Sequence, residues 1–270
     1  MDKLVSHIAL VAALCGYAVS SGLFLHAFPQ AAKRESIHLM AFKIFIFASL
    51  MVAMAYFSAL IGPYYSQSSG LILIMAVSLM TIIASLKFKI KMMGTFVSPL
   101  ATLVLLFLAF SYPSDELHIK ASPPSGLASF HIVVSILGQA FGIAACGVSL
   151  LYLLQQRALK KKLLNFLSSA TPPLDKLESV LLKSLWAGFI CLSLGLISGA
   201  IYTGFFITKA DSGLHIKIGW AVGVWTFYLS ILLAKNVFSK SSSLIAKMSL
   251  LGFFFLLLSF FGLKNWGELV

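Results

Sequence analysis

From Leu127 to Lys162 the chain reads LASFHIVVSILGQAFGIAACGVSLLYLLQQRALKKK. No Asp, Glu, Lys or Arg occurs before Arg157, and then Arg157, Lys160, Lys161 and Lys162 arrive together. A helix needs ~20 apolar residues to cross the ~30 Å hydrocarbon core of a bilayer. A basic cluster directly behind such a run marks the side that keeps it. Seven further apolar runs surround this one: Leu4–Phe28, Leu39–Gly62, Leu71–Leu86, Gly94–Tyr112, Leu181–Phe206, Leu214–Ala234 and Leu244–Lys264. The third is the shortest. The first is too long for a removable signal peptide and lacks a small-residue cleavage site. The composition agrees: 60% hydrophobic, 10% charged, with a mean hydropathy of +0.98. A soluble domain of this length would carry far more charge. The expected fold is all-α, a polytopic membrane helical bundle of about eight transmembrane helices. Residues 1–270 are expected to form a single integral membrane domain with no separate soluble part.

The net charge of +12 is unevenly placed. Lys33 and Arg34 follow the first run, Lys87, Lys89 and Lys91 the third, Arg157 to Lys162 the fifth, and Lys235, Lys240 and Lys247 the seventh. The alternate connections are poor in cations: 63–70 has no charge, and 112–129 holds Asp115, Glu116 and Lys120. Short loops rich in Lys and Arg stay cytoplasmic, so both termini are expected outside (N-out, C-out). Attraction of these loops to anionic headgroups accounts for the excess charge, and no nucleic-acid partner is implied.

Cys15, Cys146 and Cys191 all fall within apolar runs and form no CxxC pair. Scattered thiols of this kind read as packing, not as a redox relay or a covalent haem anchor. Small residues recur at four-residue spacing: Gly138, Gly142 and Cys146; Gly195, Gly199 and Thr203; Gly219 and Gly223. In lipid such ridges let helices approach closely, and packing is their expected use. The one extended basic connection, 157–183, breaks at Thr171-Pro172-Pro173-Leu174, where consecutive prolines deny backbone donors. Asp175-Lys176-Leu177-Glu178 then reads as an amphipathic entry into the sixth run. This elbow is either a solvated connection or the surface a partner would grip.

Polar residues inside a membrane are functional candidates because they are costly there. The charge pattern assigns His26 and His38 to the cytoplasmic edge and His7, His118, His131 and His215 to the outer edge. Ser135 and Gln139 follow His131 at four and eight positions, rotations of about 40° and 80°, which keeps them on its side of the helix. His215 opens the seventh run, with Lys217, Trp220, Trp225 and Tyr228 behind it. Two imidazoles at one depth can form a bis-histidine b-type haem site. His131 and His215 are therefore the candidate iron ligands, Lys217 a propionate partner, and Trp220 a residue flanking the macrocycle. The same residues also suit an ordinary interfacial belt. No cluster resembles a hydrolase triad, a phosphate-binding loop or a zinc site, so an enzyme is not expected.

The second half resembles the cytochrome c assembly membrane-protein family, which includes CcsA-type haem handlers and HemX/YpjD-like relatives. The likeness is carried by His131–Leu137 leading to Leu151–Lys160, then Pro172–Glu178, then Leu194–Tyr202. Lys217 with Trp220, Trp225 and Tyr228 follows, and Ser259-Phe260-Phe261-Gly262 closes it. It covers residues 126–270, whereas residues 1–125 agree mainly in span count. Segment 208–217 lacks the tryptophans of the haem-exporting relatives, and His215-Ile216-Lys217 stands where they have Asp-Pro-Lys. No histidine follows the last run, so the family's second outer histidine is missing and His215 is its candidate substitute. The branch without a tryptophan-rich loop is the nearer likeness.

The resemblance implies a multi-pass protein of the bacterial cytoplasmic (inner) membrane that binds or passes haem b at its outer face. It also implies a protein partner from cytochrome maturation or haem synthesis. A second reading is a cofactor-free scaffold or regulatory subunit acting through the 157–183 elbow. A solute transporter would require paired broken helices, which the prolines do not supply.

Overall fold

The computed structural model describes residues 2–28, 35–61, 68–110, 126–162, 172–206 and 212–266. Each apolar run becomes one helix: α1 (Asp2–Ala27), α2 (Glu35–Ile61), α3 (Ser68–Lys87), α4 (Gly94–Phe110), α5 (Gly126–Lys160), α6 (Leu174–Phe206), α7 (Ser212–Asn236) and α8 (Ser242–Trp266). A short 3₁₀ turn, Lys91–Met93, leads into α4. The described residues contain no strand. Among the described residues, six helices are long and apolar enough to cross a membrane: α1, α2, α3, α5, α6 and α7. The third run, shortest in the sequence, lengthens into a 20-residue helix. Instead α4 is short, with 17 residues and Pro99 inside it, about 26 Å at 1.5 Å per residue. Lys33, Arg34, Asp115, Glu116, His118, the middle of the elbow (163–171) and residues 207–211 lie outside the described residues.

The helix ends repeat the charge pattern. Lys87 closes α3, Arg157 and Lys160 close α5, and Lys235 closes α7. Cations there complement the partial negative charge of the terminal carbonyls. Among the described residues, three other than glycine adopt a left-handed backbone, Lys89 (φ 57°), Lys162 (φ 54°) and Ser239 (φ 46°), and each follows one of these same helices. After α7 the Lys240 N–H reaches back to the Ala234 carbonyl at 2.9 Å, satisfying an acceptor the helix end leaves open. At the start of α6, Leu174 follows Pro172-Pro173 directly, as the broken elbow predicts.

Polarity is arranged for lipid. Val11, Leu50 and Ile197 are exposed, whereas Ser20, Ser78, Ser98, Ser149, Ser198 and Ser249 are buried. Hydroxyls inside and aliphatic chains outside suit helices whose surroundings are hydrocarbon.

The chain divides into two compact units, one of Met1–Pro123 with Leu154–Pro173, the other of Pro124–Leu153 with Leu174–Val270. The first is organised around Tyr17, which is fully buried. Its hydroxyl bonds Ser49 Oγ at 3.0 Å and Ser78 Oγ at 2.7 Å, joining α1 to α2 and α3. Its carbonyl accepts from Ser98 Oγ of α4 at 3.0 Å and from Ser21 Oγ at 2.7 Å. Ser20 Oγ donates to the Ala41 carbonyl at 3.0 Å. A Cβ at Gly16 would lie 2.9 Å from Ala48 Cβ, so α1 and α2 approach as closely as backbones allow.

The second unit is an antiparallel succession. α5 meets α6 at the level of His131 and Gly199, then Ser135 and Gly195, then Gly138 and Leu192, then Phe141 and Gly188. Residue numbers rise on one helix as they fall on the other, so α5 and α6 are antiparallel, with Gly138, Gly195 and Gly199 along their seam. Trp225 Nε1 of α7 donates to Ser193 Oγ of α6 at 2.8 Å, and its ring stacks on Phe189 with centroids 5.5 Å apart. Lys235 Nζ at the end of α7 contacts Glu178 Oε1 of α6 at 2.6 Å and Ser242 Oγ of α8 at 3.1 Å.

Candidate functional site

His131 lies near the start of α5, and its position depends on α6. The ring sits over Gly199, where a Cβ would come within 2.7 Å of Cε1 and 3.0 Å of Nδ1. Only a residue without a side chain leaves that space. One turn earlier on α6, the Gly195 carbonyl lies 2.8 Å from Nδ1. A carbonyl can only accept, so Nδ1 carries the proton and donates. In the neutral ring Nε2 is then the nitrogen with a free lone pair. Ser198 Oγ lies 3.4 Å from Nδ1 on the same side, while its own proton serves the Leu194 carbonyl at 2.8 Å. The α6 segment Gly195–Gly199 thus supplies both the hydrogen-bond acceptor and the open floor of the imidazole seat.

This arrangement suits a metal ligand. Ligating histidines characteristically donate their other ring nitrogen to a carbonyl or carboxylate, which fixes the tautomer and raises ligand basicity. His131 is partly exposed, so the lone-pair side is not sealed in the core. The donor set fits one axial imidazole. The described residues contain no group of three or more His, Cys, Asp or Glu side chains able to hold a bare metal ion.

His215 and Lys217 are exposed near the start of α7. Neither is hydrogen-bonded to His131 among the described residues. Trp220 is partly buried against Phe255 of α8, ring centroids 6.1 Å apart. Trp225 packs on α6, as described above, and Tyr228 is fully buried. Trp225 and Tyr228 are therefore packing groups. Gly219 and Gly223 meet no atom within 4 Å where a Cβ would stand, so their ridge is open. In the first unit, His38 is buried with its ring 5.6 Å from Phe24.

Sequence reasoning identified His131 and the Gly195–Gly199 ridge separately, but not that the ridge seats the histidine. The available signal was the matching spacing: positions 131, 135 and 138 run against 199, 195 and 192.

The family model described as Cytochrome C assembly protein matches residues 65–270. That range takes in α3 to α8, including the first-unit helices α3 and α4 as well as the half that carries the resemblance. No curated protein and no solved structure matches the chain.

Proposed function

The chain belongs to the cytochrome c assembly protein family, and we propose that it serves there by holding haem b through Nε2 of His131. The proposed location is the outer face of the bacterial cytoplasmic membrane. One observation carries this reading: Nδ1 of His131 is committed to the Gly195 carbonyl at 2.8 Å, which leaves Nε2 as the coordinating atom. When bound, haem supplies an iron that accepts imidazole as an axial ligand. His131 holds it, and Gly195 and Gly199 orient the ring. His215 is the candidate second ligand and Lys217 the candidate propionate partner, both exposed near the start of α7. Trp220 would then flank the macrocycle from the same helix. The role is binding or hand-over, without bond chemistry by the chain itself, and it calls for a partner from the cytochrome maturation or haem-synthesis pathway.

The test is the visible spectrum of detergent-purified protein. A Soret band with split reduced bands that disappears in His131→Ala, at near-normal protein level, is expected. A colourless protein that copurifies with one stoichiometric partner, through a contact abolished by charge reversal at Lys160, Lys161 and Lys162, would instead establish the scaffold reading.

A further inference from the structure

Among the described residues two tyrosines are fully buried, one in each unit, and their hydroxyls have opposite fates. Tyr17 shares its hydroxyl between Ser49 and Ser78. The Tyr228 hydroxyl has no hydrogen-bond partner among the described residues. Leaving a buried hydroxyl unpaired is costly, and the great majority of buried polar side-chain atoms are paired with protein or ordered water. Gly142 of α5 lies against the hydroxyl, where a Cβ would come within 2.7 Å of the oxygen, and Gly252 of α8 lies against the ring edge.

Two more hydroxyls share this condition. Ser149 of α5 and Ser249 of α8 are both fully buried and both lack a partner among the described residues. They are related through the Gly142 contact, because Gly142 also meets Leu256 of α8. Seven residues on from Gly142 along α5 is Ser149, and seven residues back from Leu256 along α8 is Ser249. The contacts from α5 through α6 and α7 to α8 make α5 and α8 antiparallel, so both steps lead the same way, roughly 10 Å along the seam. The two serines therefore lie at matching depth, about two turns along from the Gly142 contact. Cys146, one turn beyond Gly142, is also buried.

We propose that Tyr228, Ser149 and Ser249 bind internal water, forming a hydrated seam between α5, α7 and α8. Water satisfies all three hydroxyls because it both donates and accepts, and a buried water typically makes about three hydrogen bonds to groups otherwise left unpaired. No ionic or metal ligand suits the site, since its groups are neutral hydroxyls and a thiol. The inference rests on the interior of the second unit and is independent of haem ligation by His131. It gives the two units different interiors, one closed by hydroxyl-to-protein bonds around Tyr17 and one bridged by solvent.

Radiolytic footprinting of the detergent-solubilised full chain tests this directly, because hydroxyl radicals generated from bound water label the side chains beside it. Tyr17 is the internal control, equally buried and already paired. Modification of Tyr228 at least several-fold faster than of Tyr17 is expected, and Tyr228 labelled no faster than Tyr17 overturns the proposal. As an independent reading, Tyr228→Phe should lower the melting temperature, because it removes a satisfied hydroxyl and strands its water. An unchanged or raised melting temperature would mean that the hydroxyl has no partner to lose, and overturns the proposal equally.

Discussion

At position 199 the difference between no side chain and one methyl group decides where an imidazole can lie. A Cβ there would lie 2.7 Å from Cε1 of His131, so Gly199→Ala should push the ring off its seat and lengthen the Nδ1 bond to Gly195. Loss of such an orienting hydrogen bond weakens metal ligation on the order of 10-fold. Haem titration of purified Gly199→Ala should show that loss at near-normal expression. Gly199→Leu should lower the protein level too, since its bulk forces α5 and α6 apart. The Tyr17 hydroxyl makes the opposite kind of contribution. Tyr17→Phe removes two hydrogen bonds to Ser49 and Ser78 and should cost about 1–3 kcal/mol, at about 1 kcal/mol per bond. Thermal unfolding in detergent would measure this cost, and haem affinity should be unaffected.

Between helices, the α5–α6 seam shows how far the sequence could be read. Four-residue spacing of small residues revealed that ridges exist at Gly138 and Gly142 and at Gly195 and Gly199. It could not reveal what each ridge faces, because that depends on helix rotation. The same rule applied to Gly219 and Gly223 marked a ridge that meets nothing within 4 Å. Trp225 and Tyr228 read equally well as an interfacial belt or a haem wall, since an amphipathic ring suits either. The contacts with Ser193 and Gly142 that settle their packing are made from one helix to another, beyond the reach of a local pattern. The helices themselves were legible because each is a long apolar run bounded by charge or proline. At the basic end of the second unit, Lys235 ties Glu178 of α6 to Ser242 of α8. Both charged side chains are about a quarter exposed, 24% and 28%, so solvent screens the pair. Lys235→Met should therefore cost less than ~1 kcal/mol, a small fall in melting temperature.

For the whole molecule, the decisive pattern is the alternation of basic and charge-poor connections, which predicts both termini outside. A reporter active only in the periplasm should work when fused after Val270 and fail when fused at Lys161. The reverse result would place His131 on the cytoplasmic side and remove the outer-face assignment. The account's central claim, that His131 Nε2 is the iron ligand, is tested most directly by imidazole rescue. His131→Gly should lose the Soret band of the purified protein, and added imidazole should restore it by occupying the vacated coordination position. A Soret band that survives His131→Gly unchanged without imidazole would contradict the claim.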